Sequence, residues 1–544
     1  MTSVLELFKS GRVDEIWQRY CGFLDLSLAD FMMIQKRLLM EQLELLNKCE
    51  LGEIIMNGAK PRTMGEFREK VPLTRYENYL PIFSKRRREI LPEKPILWMH
   101  TSGRSGEYTK WIPVTERRYQ EMGNICIAAI IMSACKKKGE VNIRAFDRWL
   151  YALAPPPYMT GTWARCVEEV FPITILPPLD EAEKLSFSER TQKGIQMALE
   201  GGMDLLGGMP SVLMAIANKL GEGSGKIDFL SLIKKPGTSL RFARGIIKSR
   251  LSGRRLYPKD LWKLKGILAG GADTIVYREK IKELYGRYPL DLYAFTEGGI
   301  IATQTWTYQG MTFLPSLNFY EFIPEKESIK SQNNPDYRPS TLLLDEVRPG
   351  ENYELVITNL LGGSMVRYRV GDMIRITSLR DNEAEIDIPQ MQFYSRVDNI
   401  IDIAGFTRLT EKTIWQAIEN AGVENRGWTA RKEGIEQPYL HIYIEPVYES
   451  VDIKRISENI HKCLTSLDQD YANLESLLGM NPLKVTLLPQ GTFQKYADAQ
   501  QTQGAQLGKL RPPHTNPSDK IINHLISGDG SALIAEVAKK STNS

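Results

Sequence analysis

The sequence predicts an α/β protein: a large N-terminal domain of β-sheets packed with helices, followed by a small α+β C-terminal domain. Three observations carry that reading. From Pro95 onward, short apolar runs such as P-I-L-W-M-H and D-L-Y-A-F alternate with helical stretches such as Glu116 to Cys135, the pattern of sheet layers covered by helices. Between Tyr353 and Ile388 the text changes to E-L-V-I-T-N-L, V-R-Y-R-V-G-D-M-I-R-I and A-E-I-D-I. Those three strand-like segments, joined by Gly, Asn and Asp turns, read as a small antiparallel or barrel-like subdomain. A chain of 544 residues also exceeds what one ordinary core serves.

The chain opens helical. Residues from about 26 to 56, including F-M-M-I-Q-K-R-L-L-M-E-Q-L-E-L-L, place apolar side chains at three- and four-residue spacing. After F-Y-S-R-V-D a helix (Thr413 to Ala421) mixes with the strands Y-L-H-I-Y-I-E and L-K-V-T-L-L, so we place the boundary near residue 396. The expected domains are 1–395 and 396–544.

Composition narrows the function. The 70 basic residues are balanced by 66 acidic ones, and the resulting +4 implies no nucleic-acid partner. Basic runs at Lys85 to Arg88, Lys136 to Lys138 and Lys248 to Arg255 read as solvated surface. The six cysteines show no C-x-x-C pair and no histidine at metal-ligand spacing, which fits reduced thiols in a cytoplasmic protein. The first residues lack an apolar core of signal-peptide length, and the longest apolar run, Ile125 to Cys135, is too short to span a bilayer. A membrane partner is therefore not expected.

Four segments carry chemistry. His100-Thr101-Ser102-Gly103-Arg104-Ser105-Gly106-Glu107-Tyr108-Thr109-Lys110 follows an apolar run. Its glycines let backbone N–H groups approach an anion, its hydroxyls add donors, and Lys110 supplies a positive charge for a polyphosphate. Gly266-Ile267-Leu268-Ala269-Gly270-Gly271-Ala272-Asp273 is an apolar strand ending in small residues, which permit a flat base to lie against backbone. In Asp291-Leu292-Tyr293-Ala294-Phe295-Thr296-Glu297-Gly298-Gly299 a strand ends in an aromatic, a hydroxyl and a carboxylate. Tyr293 suits stacking on a purine, Thr296 donation to a phosphate oxygen, and Glu297 a Mg²⁺ ion. In Arg367-Tyr368-Arg369-Val370-Gly371-Asp372 a carboxylate follows a turn glycine, and Asp372 suits both ribose hydroxyls or a plain turn role.

Taken in order, a Ser/Gly loop, G-G-A, Y-A-F-T-E, Y-R-V-G-D and S-R-V-D-N-I-I-D-I-A-G form the motif order of adenylate-forming enzymes. The sequence resembles that superfamily, and within it the auxin-responsive promoter family of plant acyl-acid amido synthetases and their microbial relatives. The similarity extends to F-R-E-K-V-P-L-T-R-Y-E-N-Y-L-P-I from Phe67, L-N-F-Y-E-F-I-P from Leu317, P-G-E-N-Y-E-L-V-I-T-N-L from Pro349 and G-T-F-Q-K-Y-A-D-A-Q-Q-T-Q-G-A-Q from Gly491.

That resemblance implies an adenylate-forming large domain and a mobile small one. It also implies ATP with Mg²⁺, a carboxylic acid activated as acyl-AMP with release of pyrophosphate, and transfer to an amine such as an amino acid. By matching positions it gives nucleotide contacts to Thr101, Ser102, Gly103, Ser105, Gly106, Gly271, Ala272, Tyr293, Ala294, Phe295, Thr296, Glu297, Asp372 and Arg396. It gives catalytic roles to Lys110, Glu297 and Arg396, the metal to Glu297, and the hinge to Asp398. A basic residue from the small domain is either Lys509 or Arg511. Arg104 and Phe295 stand where the family has small residues. The chain is expected to be a monomer. The runner-up is an acyl-CoA ligase of phenylacetate-CoA ligase type, with a thiol acceptor. A binding protein that keeps the fold without catalysis is the third reading.

Overall fold

The computed structural model describes residues 2–100, 110–221, 236–271, 274–334, 336–396, 401–403, 407–434, 437–448, 452–478, 482–502 and 512–527. The described residues divide into two compact units, one running through Arg396 and the other from Ile401 on.

In the first unit the apolar spacing near the start becomes the helix Leu28–Leu46. Ser27 caps it by accepting from the Asp30 N–H, and Phe31, Leu39, Leu43 and Leu46 fill the buried face. Two glutamines share that face and are satisfied there: Gln35 donates to the carbonyls of Pro315 and Asn318, and Gln42 donates to Gly363 and accepts from Gly362. The helix Glu116–Ala134 is buried almost all round from Ile125 to Ala134, which explains why its apolar run is continuous rather than striped.

The strands β1 (Leu97–His100) and β2 (Trp111–Val114) pair as an antiparallel hairpin with His100 opposite Trp111. Nine further segments, β3 (Arg148–Ala152), β4 (Thr174–Leu176), β5 (Leu205–Gly208), β6 (Gly266–Gly270), β7 (Leu290–Phe295), β8 (Gly299–Thr303), β9 (Met311–Phe313), β10 (Asn318–Pro324) and β11 (Asn352–Asn359), are joined by β12 (Tyr368–Ser378) and β13 (Gln390–Arg396). Among the described residues these eleven strands, β3 to β13, form one sheet in the order 10-11-12-13-9-8-7-6-5-3-4. Pairing is parallel from β4 through β3, β5 and β6 to β7, and antiparallel from β7 onward. The parallel half packs against helices through Leu150, Leu206, Ile216, Ile267 and Ile281, the double-sided burial that parallel strands require. β7 is thus the strand at which the sheet changes sense.

One expectation is corrected here. The segment A-E-I-D-I is not a strand: Asp381 and Ile386 bridge across a turn, and Asp381 Oδ1 accepts from the N–H groups of Glu383 and Ala384. That local side-chain bonding competes with a ladder, and the third strand forms two residues beyond it as β13. Nor do β11 to β13 stand apart as a barrel. β13 pairs with β9 through Gln390 and Met391, and buried Val356, Ile374 and Met391 continue the core of the large sheet.

In the second unit β14 (Ile401–Ile403) and β15 (Thr407–Leu409) pair antiparallel. β16 (Asn425–Glu433), β17 (Tyr439–Pro446) and β18 (Leu483–Leu487) make a mixed three-stranded sheet. The helices Glu411–Asn420 and Ile453–Leu467, capped by Thr410 and Asp452, close its core through Ile414, Ile418, Ile460 and Leu464 against Trp428 and Ile442. This is the α+β composition the sequence predicts.

Candidate active site

The Y-A-F-T-E segment ends β7 at the change of sheet sense, so its last residues project from the carboxyl end of a parallel strand. That is where open α/β sheets present ligand groups. Alternation buries Tyr293, Phe295 and Glu297, while Ala294 and Thr296 face a more open side. The turn that follows needs glycine: Gly299 has φ +78°, and a Cβ there would lie 3.1 Å from Leu317 Cδ1.

Glu297 is 7% exposed and ion-paired. Lys110 Nζ lies 3.2 Å from Glu297 Oε1, the Tyr368 hydroxyl donates to the same oxygen at 3.0 Å, and Lys110 Nζ stands 3.4 Å from the Tyr368 oxygen. Burial pushes the Glu297 carboxyl up, but the Lys110 charge, its own backbone N–H and the Tyr368 hydroxyl together outweigh burial and leave it below the ordinary carboxylate value. The same burial, with the Glu297 charge, holds the Tyr368 phenol well above its usual range. The result is an ionised carboxylate in a water-poor position. Both side-chain contacts go to Oε1, so Oε2 carries no bond to a described side chain.

The backbone beneath this carboxylate is clamped. Asn359 Nδ2 donates to the Glu297 carbonyl at 3.0 Å, Asn318 Nδ2 donates to the Gly298 carbonyl at 2.7 Å, and the two asparagines bond each other at 2.9 Å. Lys110 is positioned from the other side. The Tyr76 hydroxyl accepts from the Trp111 N–H at 2.7 Å, and Lys110 Nζ lies 5.3 Å from the centre of the Tyr76 ring. Thr74 accepts from the Arg369 N–H and donates its own N–H to the Arg367 carbonyl, which fixes Tyr368 between them.

The second carboxylate is Asp372. Its Oδ2 accepts from the Tyr293 hydroxyl at 2.8 Å, and both residues are 7% exposed. The Tyr293 ring packs edge-on against Phe295 at 5.7 Å and tilted against Phe393 at 6.2 Å. Gly371, at φ +80°, supplies the backbone form that brings Asp372 round. Arg396 stands opposite Asp372 in the β12–β13 register. The other arginines of the R-Y-R-V-G-D segment are engaged structurally: Arg367 is bidentate to Glu321 at 3.0 and 2.8 Å, and Arg369 Nε bonds Glu354 at 2.8 Å.

The structure therefore brings together Lys110 with Glu297, and Tyr293 with Asp372. Gly271 follows β6, whose Gly270 lies beside Leu292 of β7. Thr101, Ser102, Gly103, Arg104, Ser105, Gly106, Ala272, Asp398, Lys509 and Arg511 lie outside the described residues. The sequence reading passed over Tyr368, Asn318, Asn359 and Tyr76 as site residues. All four sit within segments it quoted, so the signal was family likeness rather than chemistry.

A Mg²⁺ ion bound mainly by nucleotide phosphates takes only one or two carboxylates from a protein. Glu297 fits that demand, being ionised, oxygen-only and with Oε2 uncommitted to a described side chain. No group of three metal-ligating His, Cys, Asp or Glu side chains occurs among the described residues.

Comparison with known proteins agrees with this architecture. Residues 22–148 match the GH3 family N-terminal domain, and residues 311–396 match the GH3 family central domain. The chain is similar to the rice (Oryza sativa subsp. japonica) jasmonoyl–L-amino acid synthetase GH3.5, with 25% identity over 48% of this chain and 47% of the relative. It is also similar to the Arabidopsis thaliana 4-substituted benzoates-glutamate ligase GH3.12, at 26% over 39% of this chain and 38% of the relative. The chain spans about half the length of the curated relatives it matches. Among solved structures, the acyl acid amido synthetase AtGH3.15 superposes with a TM-score of 0.50 at 14% identity, covering 92% of this chain and 94% of that one. A 2-hydroxyisobutyryl-CoA ligase complexed with 2-HIB-AMP and CoA gives 0.50 at 15%, covering 90% and 87%. These two likenesses are of fold.

Proposed function

Because the chain belongs to the GH3 family, whose N-terminal and central domains it carries, we propose that it activates a carboxylic acid with ATP and transfers the acyl group to an amine. The substrate carboxylate attacks the α-phosphorus of ATP, forming acyl-AMP and releasing pyrophosphate. The amine then attacks the acyl carbon, and AMP leaves as the amide forms. An amino acid is the acceptor we favour, since the named relatives are a jasmonoyl–L-amino acid synthetase and a 4-substituted benzoates-glutamate ligase.

One observation carries this reading: a buried carboxylate, Glu297, held ionised by Lys110 and Tyr368 at the change of sheet sense. In the proposal Glu297 binds Mg²⁺, which supplies charge neutralisation for the phosphates. Lys110 adds positive charge beside it, and no protein nucleophile is required. Asp372 accepts the ribose hydroxyls, which requires the Tyr293 hydroxyl to share or yield its bond. Thr101, Ser102, Gly103, Ser105 and Gly106 cradle the phosphates, Gly271 and Ala272 flank the base, and Arg396 stands near the ribose. The domain that we place from residue 396 onward supplies Lys509 or Arg511 by moving about Asp398. We place the protein in the cytoplasm, as a monomer.

A screen of carboxylic acids against amines, following pyrophosphate release, tests the reading. The expected result is release that depends on one class of acid, with amide formed only when an amine is present. AMP release that depends on CoA and ignores amines would assign the acyl-CoA ligase reading. Absence of acid-dependent pyrophosphate exchange would leave a binding protein.

A further inference from the structure

The helix Pro236–Leu251 presents two unlike sides. Inward, Phe242 and Ser249 are buried, and Arg241 Nη1 donates to the carbonyls of Ala198 and Leu199 at 3.2 and 2.8 Å. Outward, Ile247 is 58% exposed and Leu251 is 85% exposed, and their four-residue spacing sets one above the other. Arg244 and Lys248 run along one flank of that apolar stripe, with Arg250 and half-exposed Ile246 on the other.

The charge around this stripe has one sign. No carboxylate occurs between Asp228 and Asp260, a span that holds nine lysines and arginines. Asp260 is held in a bidentate pair with Arg254 at 2.7 and 2.9 Å and also lies 3.8 Å from Lys248 Nζ, so this single carboxylate is shared between two cations and leaves the flanks of the stripe net positive. Arg244 and Arg250 make no ion pair with a described residue.

We propose that this helix face docks on an anionic phospholipid bilayer. Ile247 and Leu251 enter the boundary between headgroups and acyl chains, while Arg244, Lys248 and Arg250 meet the lipid phosphates. An apolar stripe flanked on both sides by cations is the arrangement that lies in a membrane interface without crossing it. No helix among the described residues is long and apolar enough to cross a membrane. A second copy of this chain fits poorly, because like charges on both flanks would face each other and two side chains give far less apolar area than a stable dimer buries. The reading of Lys248 to Arg255 as solvated surface weighs charge alone, and the expectation of no membrane partner weighs the length of apolar runs alone. The exposed aliphatics among the cations change both readings.

The test is sedimentation of the intact protein with vesicles. At low salt it is expected to pellet with phosphatidylserine–phosphatidylcholine vesicles at least about tenfold more than with phosphatidylcholine alone, and to be released by high salt. The double variants Ile247→Ser with Leu251→Ser and Arg244→Gln with Lys248→Gln should each lower that partition at least about fivefold. Their melting temperatures should stay at the wild-type value, since all four side chains point outward. Equal pelleting of wild type and both variants would overturn the proposal, as would no preference for the anionic vesicles. A wild-type dimer that Leu251→Ser converts to monomer would also overturn it, by assigning the face to a second copy.

Discussion

The Tyr293 hydroxyl donates to Asp372 Oδ2 at 2.8 Å, joining the end of β7 to the turn glycine segment of β12 across the sheet. Two motifs separated by 79 positions thereby meet at one buried carboxylate. If Asp372 also receives the ribose, Asp372→Ala weakens ATP binding by about 1.5 to 3 kcal/mol, the range for a hydrogen bond to a charged group. Calorimetric titration with ATP checks this, and unchanged affinity would leave Asp372 as a tie between strands.

Glu297→Gln keeps the shape of the side chain and removes its charge. We expect acid-dependent pyrophosphate release to fall at least about a hundredfold, since a charged metal ligand supplies several kcal/mol of phosphate stabilisation. A rate near that of the wild type would remove Glu297 from the proposed role.

Tyr368→Phe isolates one contribution to the Glu297 pKa. Burial raises that pKa, while Lys110, the backbone N–H and Tyr368 lower it, so the net shift is downward. A depressed carboxylate is ionised down to lower pH, and its contribution is lost as pH falls through the folded value. Deleting the Tyr368 hydroxyl raises that value, so the acid limb of the pyrophosphate-release profile moves to higher pH. A profile that falls in height without moving would mean that Tyr368 acts through packing alone.

Asp291, at the start of the same strand, behaves oppositely. Burial pushes its carboxyl from 3.8 up to about 7. Between those values the folded chain holds a proton that the unfolded chain has released, so stability falls as pH rises from about 4 to about 7 and is level above. Asp291→Asn lacks that slope, and relative to wild type it should gain on the order of a few kcal/mol at pH 8 over pH 4. Urea melts of both proteins across this range measure it; parallel stability curves would contradict the assignment.

Much of the fold was legible because period and burial agree. The helices Leu28–Leu46 and Glu116–Ala134 and the strands β6, β7, β17 and β18 lie where spacing or apolar runs place them. A-E-I-D-I failed because its alternation spans five residues, and a single Asp381 side chain satisfies the backbone in a turn instead. Nothing in local pattern could show that β11 to β13 join the principal sheet, since the β13–β9 pairing spans 78 residues between Thr312 and Gln390. The carboxylates Glu297 and Asp372 were readable as motif ends. Tyr368 and the clamp of Asn318 and Asn359 were not, because an asparagine or tyrosine in a strand carries no sign of its partner until the fold brings residues of β10, β11 and β12 to the turn that follows β7.

The fate of the acid's own oxygen distinguishes acyl-AMP formation from every other route to the amide. With an acid found by the screen, labelled with heavy oxygen in its carboxylate and supplied with ATP and an amine, acyl-AMP chemistry leaves one labelled oxygen in the AMP released. Mass spectrometry of that AMP reads it. Singly labelled AMP, released in step with the amide formed, is the expected result. Unlabelled AMP, or ADP accompanied by labelled phosphate, would contradict it.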